Sequence, residues 1–207
     1  MTHLLEQQNG FGIKVCGLRT EEDVDIAVGA GANAIGFVFA ESSPRYIKRQ
    51  DAQQLLFQLP DDVLGVAVVQ NYGTLADFSD WNGWLQLCGD EDETEIANAP
   101  KPVIRAIKWD QDEVLRWDAC PNIEALLVDG STGGLGESFD IAALVALMPT
   151  LSKPIIIAGG LNSENVVDVL KRARPTAVDV SSGIESTKGV KDHQKMCDFI
   201  NTVKNCV

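Results

Sequence analysis

Two residues of this chain have the chemistry to exchange protons with a bound molecule. Cys16 ends the apolar run Gly12-Ile13-Lys14-Val15-Cys16, and Asp129 ends Ala125-Leu126-Leu127-Val128-Asp129. A carboxyl group closing an apolar strand can have its proton affinity raised by desolvation and serve as a general acid. The alternative for Asp129 is a carboxylate that only caps a backbone turn. A lone cysteine at a strand end is ordinarily a packing residue. Beside a bound substrate, a neighbouring positive charge can make it a proton acceptor. The two histidines, His3 and His193, lie far from Cys16 in sequence. That argues against a Cys–His nucleophile and against acyl transfer. Neither Cys16 nor Asp129 decides the chemistry by itself, so their neighbours in the fold must.

Three further groups bear on that decision. Ala158-Gly159-Gly160-Leu161-Asn162 and Asp179-Val180-Ser181-Ser182-Gly183 are small-residue turns that leave backbone N–H groups uncovered. Such amides hold phosphate well, which makes Gly159, Gly160, Ser181, Ser182 and Gly183 candidate phosphate binders; glycines that merely permit tight turns are the alternative. Arg45, in Ser42-Ser43-Pro44-Arg45-Tyr46, suits bidentate recognition of a carboxylate, against a solvated surface arginine as the alternative. The acidic run Gly89-Asp90-Glu91-Asp92-Glu93-Thr94-Glu95 reads as a solvated helix start rather than a metal site. The tryptophans at 81, 84, 109 and 117 read as packing residues.

These residues need a frame that brings distant segments together. Eight apolar runs begin at Gly12, Ala34, Val63, Trp84, Pro102, Ala125, Pro154 and Ala177, at intervals of 22, 29, 21, 18, 23, 29 and 23 residues. The intervals are too long for hairpins and fit one crossover helix each, so the strands should be parallel. Helices are expected after Thr20, over 48–59, over 140–148, from Asn162, and from Asp192 to about Asn205; Thr20 and Asp192 are suited to cap theirs. The third, between Asn71 and Trp84, should be short and irregular, limited by Gly73 and Gly83. Eight β-then-α units predict a compact single-domain (β/α)8 TIM barrel over 1–207, near the lower size limit of about 200 residues. An open doubly wound sheet is the competitor, but its Gly-x-Gly-x-x-Gly fingerprint is missing after strand 1, where Cys16-Gly17-Leu18-Arg19 stands. In such a barrel the reactive face is the C-terminal end of the strands. Cys16, Arg45, Gln70, Asn71, Cys88, Lys108, Asp129 and the two glycine–serine turns all fall at strand ends, and the turns follow strands 7 and 8, where these barrels commonly bind phosphate.

Bulk properties narrow the partners. Hydrophobic residues make up 45% of the chain, enough for a full core. Thirty acidic against 17 basic residues leave a formal charge of −13, which speaks against nucleic acid and anionic membranes but not against a small phosphorylated ligand. The N-terminal residues lack a basic segment followed by an apolar one, and no apolar run is long enough to span a bilayer. Five cysteines without Cys-x-x-Cys or zinc spacing predict free thiols, a cytoplasmic location and no metal. The high net charge favours a monomer over a homodimer.

The same residues carry a family likeness. Lys14-Val15-Cys16-Gly17-Leu18, Gly31-Ala32-Asn33-Ala34-Ile35-Gly36-Phe37-Val38-Phe39, Ser43-Pro44-Arg45-Tyr46-Ile47, Leu127-Val128-Asp129 with Gly133-Gly134-Leu135-Gly136 and Phe139-Asp140, Ala158-Gly159-Gly160-Leu161-Asn162, and Val178 to Glu185 with Gly189-Val190-Lys191-Asp192 occur in family order. Over nearly its whole length the chain resembles phosphoribosylanthranilate isomerases of tryptophan biosynthesis. The resemblance implies an Amadori rearrangement of a phosphosugar without metal or organic cofactor. It makes Asp129 the acid that opens the furanose ring and Cys16 the base that takes the C2 proton. It places Arg45 against the anthranilate carboxylate, adds Cys88 and Asp179 to the substrate contacts, and assigns the strand 7 and 8 turns to the phosphate. The chain departs from the family pattern in two places. Gln86-Leu87-Cys88-Gly89 stands where Gln-Leu-His-Gly is usual, and the stretch after Val68-Val69-Gln70-Asn71 is shorter than usual by about one helical turn. The analogous isomerase of histidine biosynthesis is the nearest alternative, but it would carry a carboxylate where Cys16 stands. A phosphosugar-binding barrel without catalysis is the alternative of a different class.

Overall fold

The chain's short Val/Ile/Leu/Ala runs are apolar on both faces, as parallel strands covered on both sides must be. The computed structural model describes residues 4–7, 10–130 and 141–206. In it, eight such runs form β1 (Gly12–Cys16), β2 (Ala34–Val38), β3 (Leu64–Val69), β4 (Trp84–Leu87), β5 (Val103–Lys108), β6 (Ala125–Asp129), β7 (Ile155–Ala158) and β8 (Ala177–Val180). Each starts within one residue of its expected position. All pair in parallel with their sequence neighbours, and β8 pairs with β1, so the sheet is a closed (β/α)8 barrel.

Helices α1 (Glu21–Ala30), α2 (Arg49–Phe57), α3 (Glu93–Ala97), α4 (Gln111–Asp118), α5 (Ile141–Leu147), α6 (Val166–Ala173) and α7 (His193–Lys204) cover the outside. Caps set their starts. The Thr20 hydroxyl accepts from the Asp23 amide, Asp110 from Glu113, and Asp192 from Lys195. Helix α6 begins later than expected, because the Asn162 side chain accepts from the Glu164 and Asn165 amides and folds that stretch into a turn. After β8 the chain adds a small antiparallel hairpin, β9 (Glu185–Thr187) and β10 (Val190–Lys191).

Between β3 and β4 the shortened third helix is a single 3₁₀ turn, Leu75–Phe78. Aromatic rings fill the place of a longer helix. Phe39 packs 5.3 Å from Phe78 and 5.6 Å from Trp81, and Phe37 lies 5.9 Å edge-on to Trp81. Each such ring buries about 150–250 Å², so a few rings replace the area a longer amphipathic helix would cover.

Alternation along the strands divides the core. Ala34, Val38, Val66, Val68, Ile104, Ala125, Leu127, Ile156, Ala158 and Ala177 fill the barrel interior with Cys16, and the intervening residues pack against the helices. Leu4, fully buried, belongs to the interior set. The Gly133-to-Gly136 stretch, Phe139, Asp140 and His3, which figure in the sequence reading, lie outside the described residues.

Candidate active site

Inward alternation on the strands carries Cys16, Gln86, Cys88, Ala106, Lys108, Leu127, Asp129, Ala158 and Asp179 to the C-terminal mouth of the barrel. They line one cavity of about 370 Å³, together with Arg45, Gly159, Gly160, Leu161, Ser181 and Ser182. Of the strand-end residues expected at the reactive face, Gln70, Asn71 and Gly183 are not at its wall. Gly183 lies behind it, where a Cβ would meet the Leu161 carbonyl oxygen at 1.8 Å, so the β7 and β8 turns are in direct backbone contact. Gly183→Ala is expected to lower stability by about 1–3 kcal/mol, measured by urea unfolding, because neither backbone can yield alone. Among the described residues the amides of Gly159 and Gly160 have no hydrogen-bond acceptor, and both residues have positive φ, 94° and 65°. Asn71 is drawn away from the cavity to the Asp90 carboxylate. A second cavity of similar size, about 400 Å³, opens at the N-terminal end of β3 and β4 beside Asp62 and Trp84, and brings no comparable set of reactive groups together.

Four ion pairs, none expected from the sequence, frame the site. Lys14 is fully buried inside the barrel, and its ammonium donates to Asp179 at 2.8 Å. Arg45 donates through Nε and Nη2 to the two oxygens of Glu185, at 2.6 and 2.9 Å. Lys191 donates to Glu185 at 3.2 Å and to the Ser181 carbonyl at 2.9 Å. Glu185 on the hairpin thus ties the β2 loop to the β8 turn. Burial opposes its charge, but Arg45 and the Gly189 amide outweigh that and hold its carboxyl below the usual range. Serine 181 also donates to the Cys16 carbonyl, at 3.0 Å.

The fourth pair, Arg105 with Glu91, departs from the expectation for the acidic run. Asp92 does cap α3, in a capping box with Glu95. Glu91, by contrast, is not solvated. It is buried, pairs with Arg105 at 2.9 Å, and accepts from the Asn71 and Gly89 amides at 2.7 and 2.8 Å. Arg105 in turn donates to the Gly89 carbonyl and lies 4.7 Å over the Trp117 ring. The loops after β3 and β4 are thereby fastened to β5.

The two thiols in the cavity differ. Burial pushes the Cys16 thiol up, while the ammonium groups of Lys14 and Lys191 pull it back. Burial pushes Cys88 up to about 12, with Gln86 donating to its sulfur at 3.3 Å, so Cys88 stays a neutral thiol at physiological pH. Cys88→Ser should therefore change kcat/KM by no more than about threefold between pH 6 and 9 in steady-state assays, since no ionisation in that window is lost. All five cysteines are free. His193 heads α7, as expected, and bonds Asp23 on α1 at 2.9 Å, away from this cavity. Among the described residues no group of His, Cys, Asp and Glu is arranged to hold a metal, and no helix is long and apolar enough to cross a membrane.

A carboxyl group and a thiol facing one cavity, with Gly159–Gly160 and Ser181–Ser182 at its rim after β7 and β8, mark the reactive mouth of a (β/α)8-barrel enzyme. A family model described as N-(5'-phosphoribosyl)anthranilate isomerase matches residues 13–202. The chain is 42% identical over 203 residues to the N-(5'-phosphoribosyl)anthranilate isomerase of Pseudomonas fluorescens strain Pf0-1, covering 92% of this chain and 97% of that protein. It is 39% identical over 198 residues to that of Dechloromonas aromatica strain RCB, covering 93% and 95%. The crystal structure of phosphoribosyl anthranilate isomerase from Thermotoga maritima superposes with a TM-score of 0.86 at 32% identity, covering 94% of this chain and 99% of that one. The chain belongs to the N-(5'-phosphoribosyl)anthranilate isomerase family, and it is an isomerase.

Proposed function

We propose that this enzyme converts N-(5-phosphoribosyl)anthranilate to 1-(2-carboxyphenylamino)-1-deoxyribulose 5-phosphate with Asp129 as general acid and Cys16 as general base. Asp129 gives its proton to the furanose ring oxygen, and the C1–O bond breaks to leave a Schiff base on the substrate's own nitrogen. The Cys16 thiolate removes the C2 proton, and the electron pair passes to that nitrogen. The resulting enolamine tautomerises to the ketone; Asp129 regains a proton from solvent and the Cys16 thiol releases the one it took, so the cycle closes with no net proton change. The substrate nitrogen is the electron sink, so the step requires no further group. The observation that carries this reading is the common cavity: both residues line it, and the two glycine–serine turns close its rim.

The substrate is anionic at both ends. The Gly159–Gly160 and Ser181–Gly183 turns take the phosphate, and Arg45 takes the anthranilate carboxylate. A solved relative with 30% identity and a TM-score of 0.83 is in complex with reduced 1-(o-carboxyphenylamino)-1-deoxyribulose 5-phosphate, which has both groups. Glu185 fixes the plane of the Arg45 guanidinium and leaves Nη1 for the ligand. Arg45→Met is expected to raise KM about tenfold or more while kcat falls much less, because the contact is made equally in ground and transition states. Asp179 and Cys88 complete the substrate's surroundings. The enzyme acts in the cytoplasm as a monomer. The direct test is the fall in phosphoribosylanthranilate fluorescence on adding the purified, folded chain; no fall would favour a phosphosugar-binding barrel.

A further inference from the structure

Lys14 is the most costly side chain in the barrel interior, since a buried charge must be desolvated and then held by a partner. It is fully buried, and its partner Asp179 is its direct cross-strand neighbour in the β1–β8 ladder. Buried ion pairs are often replaced by apolar residues of the same volume without loss of stability. Stability alone therefore does not call for a lysine among alanines, valines and isoleucines. Its position is more informative. Lys14 and Cys16 lie two residues apart on the same face of β1, opposite Gly36 of β2. A Cβ at Gly36 would stand 2.9 Å from the Cys16 sulfur and 3.2 Å from the Lys14 nitrogen. The thiol and the ammonium thus converge on a space too small for a methyl group, with nothing of β2 between them.

We infer that Lys14 is a positioning residue of the isomerase reaction: its ammonium, anchored by Asp179, supplies the positive charge that makes Cys16, rather than Cys88, the proton acceptor. This rests on Cys16 being the base. The ionisable groups around the sulfur are Lys14 on β1, Asp179 on β8, Lys191 on β10, Cys88 on β4 and, lining the same cavity, Arg45 after β2, Lys108 on β5 and Asp129 on β6. Of those acting on the thiol, Lys14 is the strongest in favour of the thiolate, by charge and by hydrogen bond. Asp179 opposes it, and Lys191 assists. Lys14 itself stays protonated: burial works against its charge, but Asp179 and Cys16 outweigh it and raise its proton affinity. The carboxylate thus keeps the cation in place and also moderates its pull on the thiol.

The opposed signs give the test. The rate of Cys16 alkylation by iodoacetamide is followed against pH, with the Cys16 peptide quantified by mass spectrometry, so that no turnover is needed. Lys14→Met should raise the midpoint of the alkylation profile by about one pH unit or more. Asp179→Asn should lower it, because the thiolate becomes the nearest anion left to the ammonium. The Lys14→Met/Asp179→Asn double variant, with no buried charge left unpaired, should fold and should still show a raised midpoint. The acid limb of the kcat/KM profile should move upward with Lys14→Met. An unchanged midpoint in the Lys14 variants, or movement in the same direction in Lys14→Met and Asp179→Asn, overturns the inference. Absence of isomerase activity in the unmodified enzyme would instead overturn the proposed reaction, which the alkylation profile does not depend on.

Discussion

Cys16→Ser should lower kcat by about 10²-fold or more while leaving KM within a few-fold of the unmodified enzyme. A hydroxyl replaces a thiol with little change of shape, so binding is retained. It ionises far less readily, however, and the neighbouring ammonium groups cannot bring it to the alkoxide at neutral pH. The C2 proton then has no acceptor within reach. Asp129→Asn should have a loss of the same order for the complementary reason. The amide keeps the carboxyl group's outline and its place opposite β7 but has no acid proton for the ring oxygen. Both are read from steady-state kinetics on the fluorescent substrate. Near-normal turnover in either variant would sink the assignment of acid and base. The two losses should also combine less than multiplicatively, because the residues serve one reaction in sequence.

Glu91→Ala should cost about 3–5 kcal/mol of stability, the scale for breaking a buried charge pair from one side. Arg105 loses its carboxylate partner and keeps only backbone carbonyls, and the amides of Asn71 and Gly89 lose their acceptor. Arg105 would remain buried against Trp117 with its charge uncompensated, while its Nε already lacks a partner among the described residues. Native stability is about 5–15 kcal/mol, so the change would remove a large share of it. Urea denaturation measures it. Glu91→Gln, which keeps an acceptor and loses the charge, should fall between the two. A loss under about 1 kcal/mol for Glu91→Ala would mean the pair is solvated after all.

The barrel was readable because its signal is repeated: eight apolar runs at crossover spacing, each with turn residues at its end. The site was readable because barrel geometry forces strand ends together, so Cys16 and Asp129, 113 positions apart, could be assigned to one cavity. The supporting charges were harder to see. Lys14 and Arg105 each interrupt an apolar strand, and a charge in such a run needs a buried partner. That signal was available. What the sequence could not supply was which acid answers which base, since Asp179 is 165 residues from Lys14 and pairs with it only once β8 is seated beside β1. Glu91 was misread because its run is acidic throughout, and composition does not distinguish one inward-turned carboxylate from its solvated neighbours. Cys88 is similar: its place at the end of β4 follows from the sequence, but its neutrality follows from burial in the folded barrel.

The seam where β8 meets β1 has a kinetic consequence. It joins the first strand of the barrel to the last, pairs Lys14 with Asp179 across it, and ends one residue before Cys16. Closing a loop of this length is entropically costly and slow compared with forming neighbouring β–α units. An open sheet of the first seven strands would have two unpaired edges, and Lys14 would have no Asp179 beside it. Activity should therefore appear late in refolding, after most secondary structure has formed, and in step with the burial of Lys14.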